Sequence, residues 1–101
     1  MQYLISVQYL ISARALADLE GIREYSTTTW GNAQAKKYIG GLLDQLRRIT
    51  KHPDIGHPLD HVLPGIRMVT YQSHGIYYRS GEGTIEVVRI LHGRMNPPLN
   101  L

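Results

Sequence analysis

The sequence predicts an α+β fold of the order β-α-α-β-β-β, and three observations carry that prediction. Ala35, Ile39, Leu42, Leu46 and Ile49 hold an unbroken three-to-four spacing that marks an amphipathic helix. Beyond residue 65 the chain changes to short runs rich in β-branched and aromatic residues, separated by turn signals. Helical and strand-like segments are segregated along the chain, not alternating, so the sheet should be mainly antiparallel. At 101 residues there is room for about one domain with a modest core, and the whole of 1–101 is read as that domain.

The chain opens "MQYLISVQYLISARALA", in which QYLIS occurs at 2–6 and again at 8–12. A period of six keeps side chains on one face of a strand but rotates them around a helix, so a strand is favoured. Two readings of the repeat stay open, a chance duplication or an N-terminal extension over 1–7 in front of the domain proper. The apolar start followed by Ala15-Leu16-Ala17 imitates a secretory signal, but no Lys or Arg precedes it and Gln8 interrupts it. It is also far short of the ~20 apolar residues that span a bilayer, so no membrane segment is expected.

Ser12 can cap a first helix in which Ala15, Leu19 and Ile22 share a face, flanked by Leu16 and Tyr25. "STTTWGN" then breaks the pattern, and the second helix begins at about Asn32. The short connection implies an antiparallel helical hairpin. Gly40 and Gly41 inside the second helix each cost about 1 kcal/mol relative to alanine. Together with Gly21 they point to close helix–helix approach, or to a bare patch on which a partner could lie.

Three prolines and two glycines make 52–65 an irregular linker. Its histidines, His52, His57 and His61, match no common zinc spacing, and the chain has no cysteine, so neither a metal nor another cofactor is expected. "IRMVTYQS" and "HGIYYRS" read as strands joined near Ser73, and "GEG" turns the chain into "TIEVVRILH". In this last strand Ile85, Val87, Arg89 and Leu91 would share one face, which makes Arg89 costly unless it finds a carboxylate or a carbonyl cluster. A structural ion pair is the expected outcome. His92 and Arg94 then fall on a basic rim, and the two prolines of "MNPPLNL" should hold 93–101 as an extended tail.

Charge is distributed unevenly. Residues 1–46 carry four basic and four acidic side chains, whereas 47–101 carry seven and four, so the whole excess of +3 lies in the second half with all five histidines. An anionic partner, either nucleic acid or an acidic protein segment, suits that half. The absence of cysteine excludes disulfides and is compatible with a cytoplasmic location, which is the expectation.

In this order, "ALADLEGIREY", "WGNAQAKKYIGGL", "HPDIGHPLDHVLPGIRMV", "SHGIYYR" and "EVVRILHGRMNP" resemble the ParE branch of the RelE/ParE toxins, the toxic halves of bacterial type II toxin–antitoxin pairs. The likeness covers about residues 8–98; Asn96 departs from it, since this branch more often has aspartate there. The resemblance implies a helical hairpin packed on a small curved antiparallel sheet and a ParD-like antitoxin whose flexible segment wraps the toxin. It further implies DNA gyrase as target and contact with operator DNA only through the antitoxin complex. On that basis Trp30, His92, Arg94 and Met95 are candidates for target binding, and Leu42, Leu46, Tyr71 and Tyr77 for antitoxin binding. For Trp30 packing within the hairpin is the bland alternative.

The sister branch cleaves messenger RNA on the ribosome, which needs a base for a ribose hydroxyl, a cation on the phosphate and an acid for the leaving oxygen. The residues that could serve here are Asp60, Arg67, Arg89 and His92, with His57 at a neighbouring linker position. Gly75 stands where some nucleases have arginine, so the set is incomplete and no catalytic residue is expected. A third alternative is a remnant that binds its antitoxin but has lost toxicity; folding alone does not establish function.

Overall fold

The computed structural model describes residues 8–81 and 83–101. The first QYLIS copy and Glu82 of the predicted "GEG" turn lie outside the described residues. Strand β1 (Gln8–Ile11) leads through Ser12 into helix α1 (Ala13–Trp30), which is followed after one residue by α2 (Asn32–Lys51). A 3-10 turn (Pro53–Ile55) precedes the two-residue strand β2 (His57–Pro58), and β3 (Arg67–Tyr71), β4 (His74–Gly81) and β5 (Thr84–His92) complete the sheet. A last helical turn, α3, spans Pro97–Asn100.

The sheet order is β1-β5-β4-β3-β2, with β1 parallel to β5 and every other pair antiparallel. The predicted α+β class and the mainly antiparallel sheet are therefore both present. One strand is added: the linker, expected to be irregular throughout, contributes β2 as an edge.

Ser12 begins α1 as a side-chain cap, its hydroxyl accepting from the Ala15 amide at 3.0 Å. The helix does not stop at "STTTW". Threonine lowers helix propensity by only tenths of a kcal/mol, and Ser26 is buried on the same stripe as Ala15 and Ile22. What stops the helix is Gly31, with φ +90° and ψ 167°, a conformation close to exclusive to glycine. That single residue reverses the chain, so α1 and α2 lie side by side.

Ala35, Tyr38, Leu42, Leu46 and Ile49 form the buried stripe of α2, and the last four share one core with Ile76, Tyr78, Ile85, Val87 and Ile90 of the sheet. Burial of each large aliphatic among them stabilises the fold by about 1.5–3 kcal/mol. The opposite face holds a smaller cluster, Ile66, Tyr77 and Leu91, flanked by Leu59, Leu63, Met68, Val88 and Leu101.

The glycine expectations are only partly met. A Cβ at Gly21 or Gly40 would meet nothing within 4 Å, so neither permits a close helix crossing. At Gly41 a Cβ would collide with the Tyr71 ring, so the close approach there comes from strand β3. Gly56 is equally constrained by Tyr78. That phenol donates to the Pro53 carbonyl at 2.7 Å and accepts from the Gly56 amide at 2.9 Å, tying the linker to the sheet.

Simple alternation in β5 fails midway. Tyr77 pairs with Arg89 but Tyr78 with Val87, a bulge that leaves Val88 without a partner and inverts the faces beyond it. Ile85, Val87 and Ile90 consequently share the helical side, and Leu91 belongs to the other. The tail also departs from expectation. Residues 97–100 coil into a turn closed by the Leu101 amide donating to the Pro97 carbonyl at 2.9 Å. Prolines at the first helical positions lack only amides that would have no helical partner, so they start this turn where they would break a longer helix.

Candidate functional site

At the end of the sheet, β3, β4 and β5 terminate side by side. Tyr71 pairs with His74, and His74 with His92, so the two histidines lie directly opposite on neighbouring strands. Their rings are 5.4 Å apart and perpendicular. His74 Nδ1 shares a hydrogen bond of 2.7 Å with the Tyr38 hydroxyl, while His92 Nδ1 accepts the Arg94 amide at 3.1 Å. A chain of ring contacts continues from Tyr38 to Trp30 and on to Tyr25 at the end of α1.

Between α1 and this strand end runs a groove of about 550 Å³ lined by Ala17, Gly21, Ile22, Tyr25, Met95 and the two histidines, with Asp18, Ile90 and Arg94 at its wall. Gly21 faces open space here, so nothing in the packing requires glycine at this point of the helix. Burial pushes the pKa of His74 down, the neighbouring His92 pushes it further in that direction, and Asp18 opposes them. For Tyr38 burial raises the pKa, against hydrogen bonding from Ser73.

Asp18 anchors the groove wall. Its carboxylate accepts from Arg89 Nε at 2.7 Å and Nη2 at 2.8 Å, and also from the Ile90 amide at 3.0 Å. Strand β1 pairs with β5 only as far as Val87. Beyond that point the exposed edge is satisfied by side chains, with the Ser12 hydroxyl donating to the Val88 carbonyl at 2.8 Å and Asp18 serving Ile90. Arg89 is thus the expected anchor, and the bond from Asp18 raises its pKa further. Its Nη1 also donates to the Asn100 carbonyl at 2.7 Å, where Arg14 adds a second donor at 3.0 Å. The tail is therefore tied to the same node.

Of the four target-binding candidates, His92, Arg94 and Met95 lie together at the groove. Trp30 is 52% exposed while packing on Tyr25 and Tyr38, so hairpin packing and surface exposure hold at once. Three of the four antitoxin candidates are buried in this chain. Leu42 and Leu46 are 0% and 1% exposed in the helix–sheet core, and Tyr77 is buried on the opposite face, so none of the three offers surface to a partner. Tyr71 is half-buried against Tyr38 and the bare backbone of Gly41.

The four nuclease candidates do not converge. Asp60 follows β2 at the Arg67 end of the sheet, opposite to the end occupied by His92, and its carboxylate accepts from the Gly65 amide at 2.9 Å. Arg67 is committed to the Asp54 and Gly56 carbonyls, and Arg89 to Asp18. Among the described residues no group of three or more His, Cys, Asp or Glu side chains could hold a metal ion. No described helix is long and apolar enough to cross a membrane.

The sequence model of the family described as "ParE toxin of type II toxin-antitoxin system, parDE" matches residues 9–97. The chain belongs to the ParE toxin family. Among relatives, the ParE1 toxin of Mycobacterium tuberculosis is 42% identical over 98 residues, spanning 96% of this chain and all of that one. The ParE1 toxin of Caulobacter vibrioides is 38% identical over 93 residues, or 92% and 96% of the two chains. The ParE toxin of Escherichia coli is 34% identical, covering 87% and 86%. A solved structure described as the chromosomal ParDE system from P. aeruginosa superimposes with a TM-score of 0.74 at 20% identity. It covers 86% of this chain and 95% of the other, so this ParE chain shares its fold. His74 and Asp18 line the groove and Tyr38 bonds His74, and none of the three was a candidate from the sequence. Only the "SHGIYYR" segment hinted at His74.

Proposed function

We infer that this ParE toxin inhibits DNA gyrase by binding, that a ParD-like antitoxin in the same cytoplasm neutralises it, and that operator DNA is met only through their complex. Family membership supports the antitoxin. The observation that carries the mechanism is the fate of the ionisable groups. Arg67 and Arg89 are committed to structural bonds and Asp60 lies at the far end of the sheet holding the Gly65 amide, while the Arg94 guanidinium has no hydrogen bond or ion pair among the described residues. A set so dispersed suits a ligand of a large enzyme, which acts by favouring one of its states through differential affinity.

The test is a gyrase supercoiling and DNA-cleavage assay with the purified chain, beside a translation extract probed for cut messenger RNA. Inhibition of gyrase with intact message is expected. Arg94→Ala should weaken inhibition about tenfold or more, the loss of a charged contact of ~1.5–3 kcal/mol, without altering the far-UV spectrum. Message cleavage that disappears on His92→Ala would instead establish the nuclease reading.

A further inference from the structure

We propose that the groove beside α1 binds an apolar protein segment through one carboxylate, held by His74, His92 and Arg94, and that uptake of this carboxylate is coupled to uptake of a proton. The inference names the chemistry and regulation of the site and rests on the binding reading only in supposing that the groove meets a protein.

Charge complementarity selects the occupant. Asp18 is the acidic side chain in the groove wall, and both its oxygens are already occupied by Arg89 and by the Ile90 amide. Arg94 remains the uncompensated cation. Each histidine has its Nδ1 engaged, by the Tyr38 hydroxyl or the Arg94 amide, so Nε2 is the nitrogen each has left for a ligand. An amide can only donate, so His92 Nδ1 accepts and the proton of the neutral ring lies on Nε2. Two ring N–H donors beside one guanidinium suit a carboxylate. Nucleic acid fits poorly, because a phosphate backbone is held by several cations, and the floor of Ala17, Gly21, Ile22 and Met95 is apolar.

Proton coupling follows from the different surroundings of the two rings. His74 faces Tyr38 of α2, Asp18 of α1 and His92 of β5, with Tyr71 of β3 beyond Tyr38; Arg89 reaches it only through Asp18. When protonated, its Nδ1 can donate to the Tyr38 oxygen, so that bond survives. Protonated His92 would lose the bond from the Arg94 amide. His74 is therefore the ring that can take up a proton and keep its hydrogen bond. A bound carboxylate offsets the burial that holds His74 neutral, so affinity rises as pH falls.

The experiment uses the full chain with labelled histidine rings, observed by NMR during titration with isocaproate, a carboxylate on a leucine-like stem. Isocaproamide and inorganic phosphate serve as parallel arms. Isocaproate should shift the His74 and His92 rings and bind up to about tenfold tighter at about pH 6 than at about pH 8, the effect of roughly one pKa unit. The amide should not. Arg94→Ala should weaken binding at both pH values and preserve their ratio, whereas His74→Gln should abolish the ratio. Equal binding of acid and amide, pH-independent binding, or ring shifts with phosphate alone would each overturn the proposal. Because neither gyrase nor antitoxin enters the measurement, its result is separate from that of the gyrase assay.

Discussion

The residue that organises this molecule is Asp18, because one carboxylate pairs Arg89, caps the free edge of β5 and neutralises the groove wall. Both partners of the pair are nearly buried, at 15% and 11% side-chain exposure. Removing one partner from such a pair leaves an uncompensated charge, and Asp18→Ala should destabilise the fold by about 3–5 kcal/mol in urea unfolding. The double change Asp18→Ala with Arg89→Met should recover part of that loss, and a double variant no more stable than the single one would show that the edge cap at Ile90 dominates. His74 gives a second prediction. Its folded pKa is below the ordinary 6.5, mainly through burial, so the unfolded chain takes up the proton first. Stability contributed by neutral His74 is present above about pH 6.5 and is lost as pH falls through the folded value. The urea midpoint should therefore fall between about pH 7.5 and pH 5.5, and less so in His74→Gln.

At the scale of elements, the glycines separate into those the backbone needs and those it does not. Gly31 makes the whole reversal between α1 and α2 at a positive φ, and Gly31→Ala should cost about 1–3 kcal/mol. Gly21 lies within α1 with open space where a Cβ would go, so Gly21→Ala should stabilise the chain by up to about 1 kcal/mol. The difference in thermal midpoint between these two variants tests whether the turn, not the helix interior, carries the constraint. Sequence periodicity could not make this distinction, since both glycines interrupt similar patterns. It did expose what depends on local spacing: the α2 stripe, the Ser12 cap and the three long strands. The bulge at Val88 was hidden because a change of face can be seen only against the partner strand. Asp18 was hidden as the partner of Arg89 because 71 residues separate them. His74 and Tyr38 were hidden because their meeting requires α2 to lie across the strand ends.

On the scale of the whole molecule, the sheet is covered by two unequal devices. The helical hairpin closes one face; the segment between β2 and β3, with Leu101 of the tail, closes the other. The tail returns to α1 and β5 because Arg14 and Arg89 both donate to the Asn100 carbonyl. It is thus part of the fold as well as a neighbour of the groove, while Leu99 projects from it at 82% exposure. Deleting 97–101 would leave Arg89 short of an acceptor and uncover the Ile66, Tyr77 and Leu91 cluster, a loss of about 2–4 kcal/mol. Asn100→Ala should cost less than about 1 kcal/mol, because the acceptor is a backbone carbonyl and only the side-chain bond to the Asn96 carbonyl is lost. Toxicity lost on truncation would therefore report unfolding and lost contact together. Leu99→Ala and Arg94→Ala separate the two, since both side chains project from the docked backbone without supporting it. Each should keep the wild-type urea midpoint while reducing gyrase inhibition, and a variant that shifts the midpoint as far as truncation does would place its side chain in the fold instead.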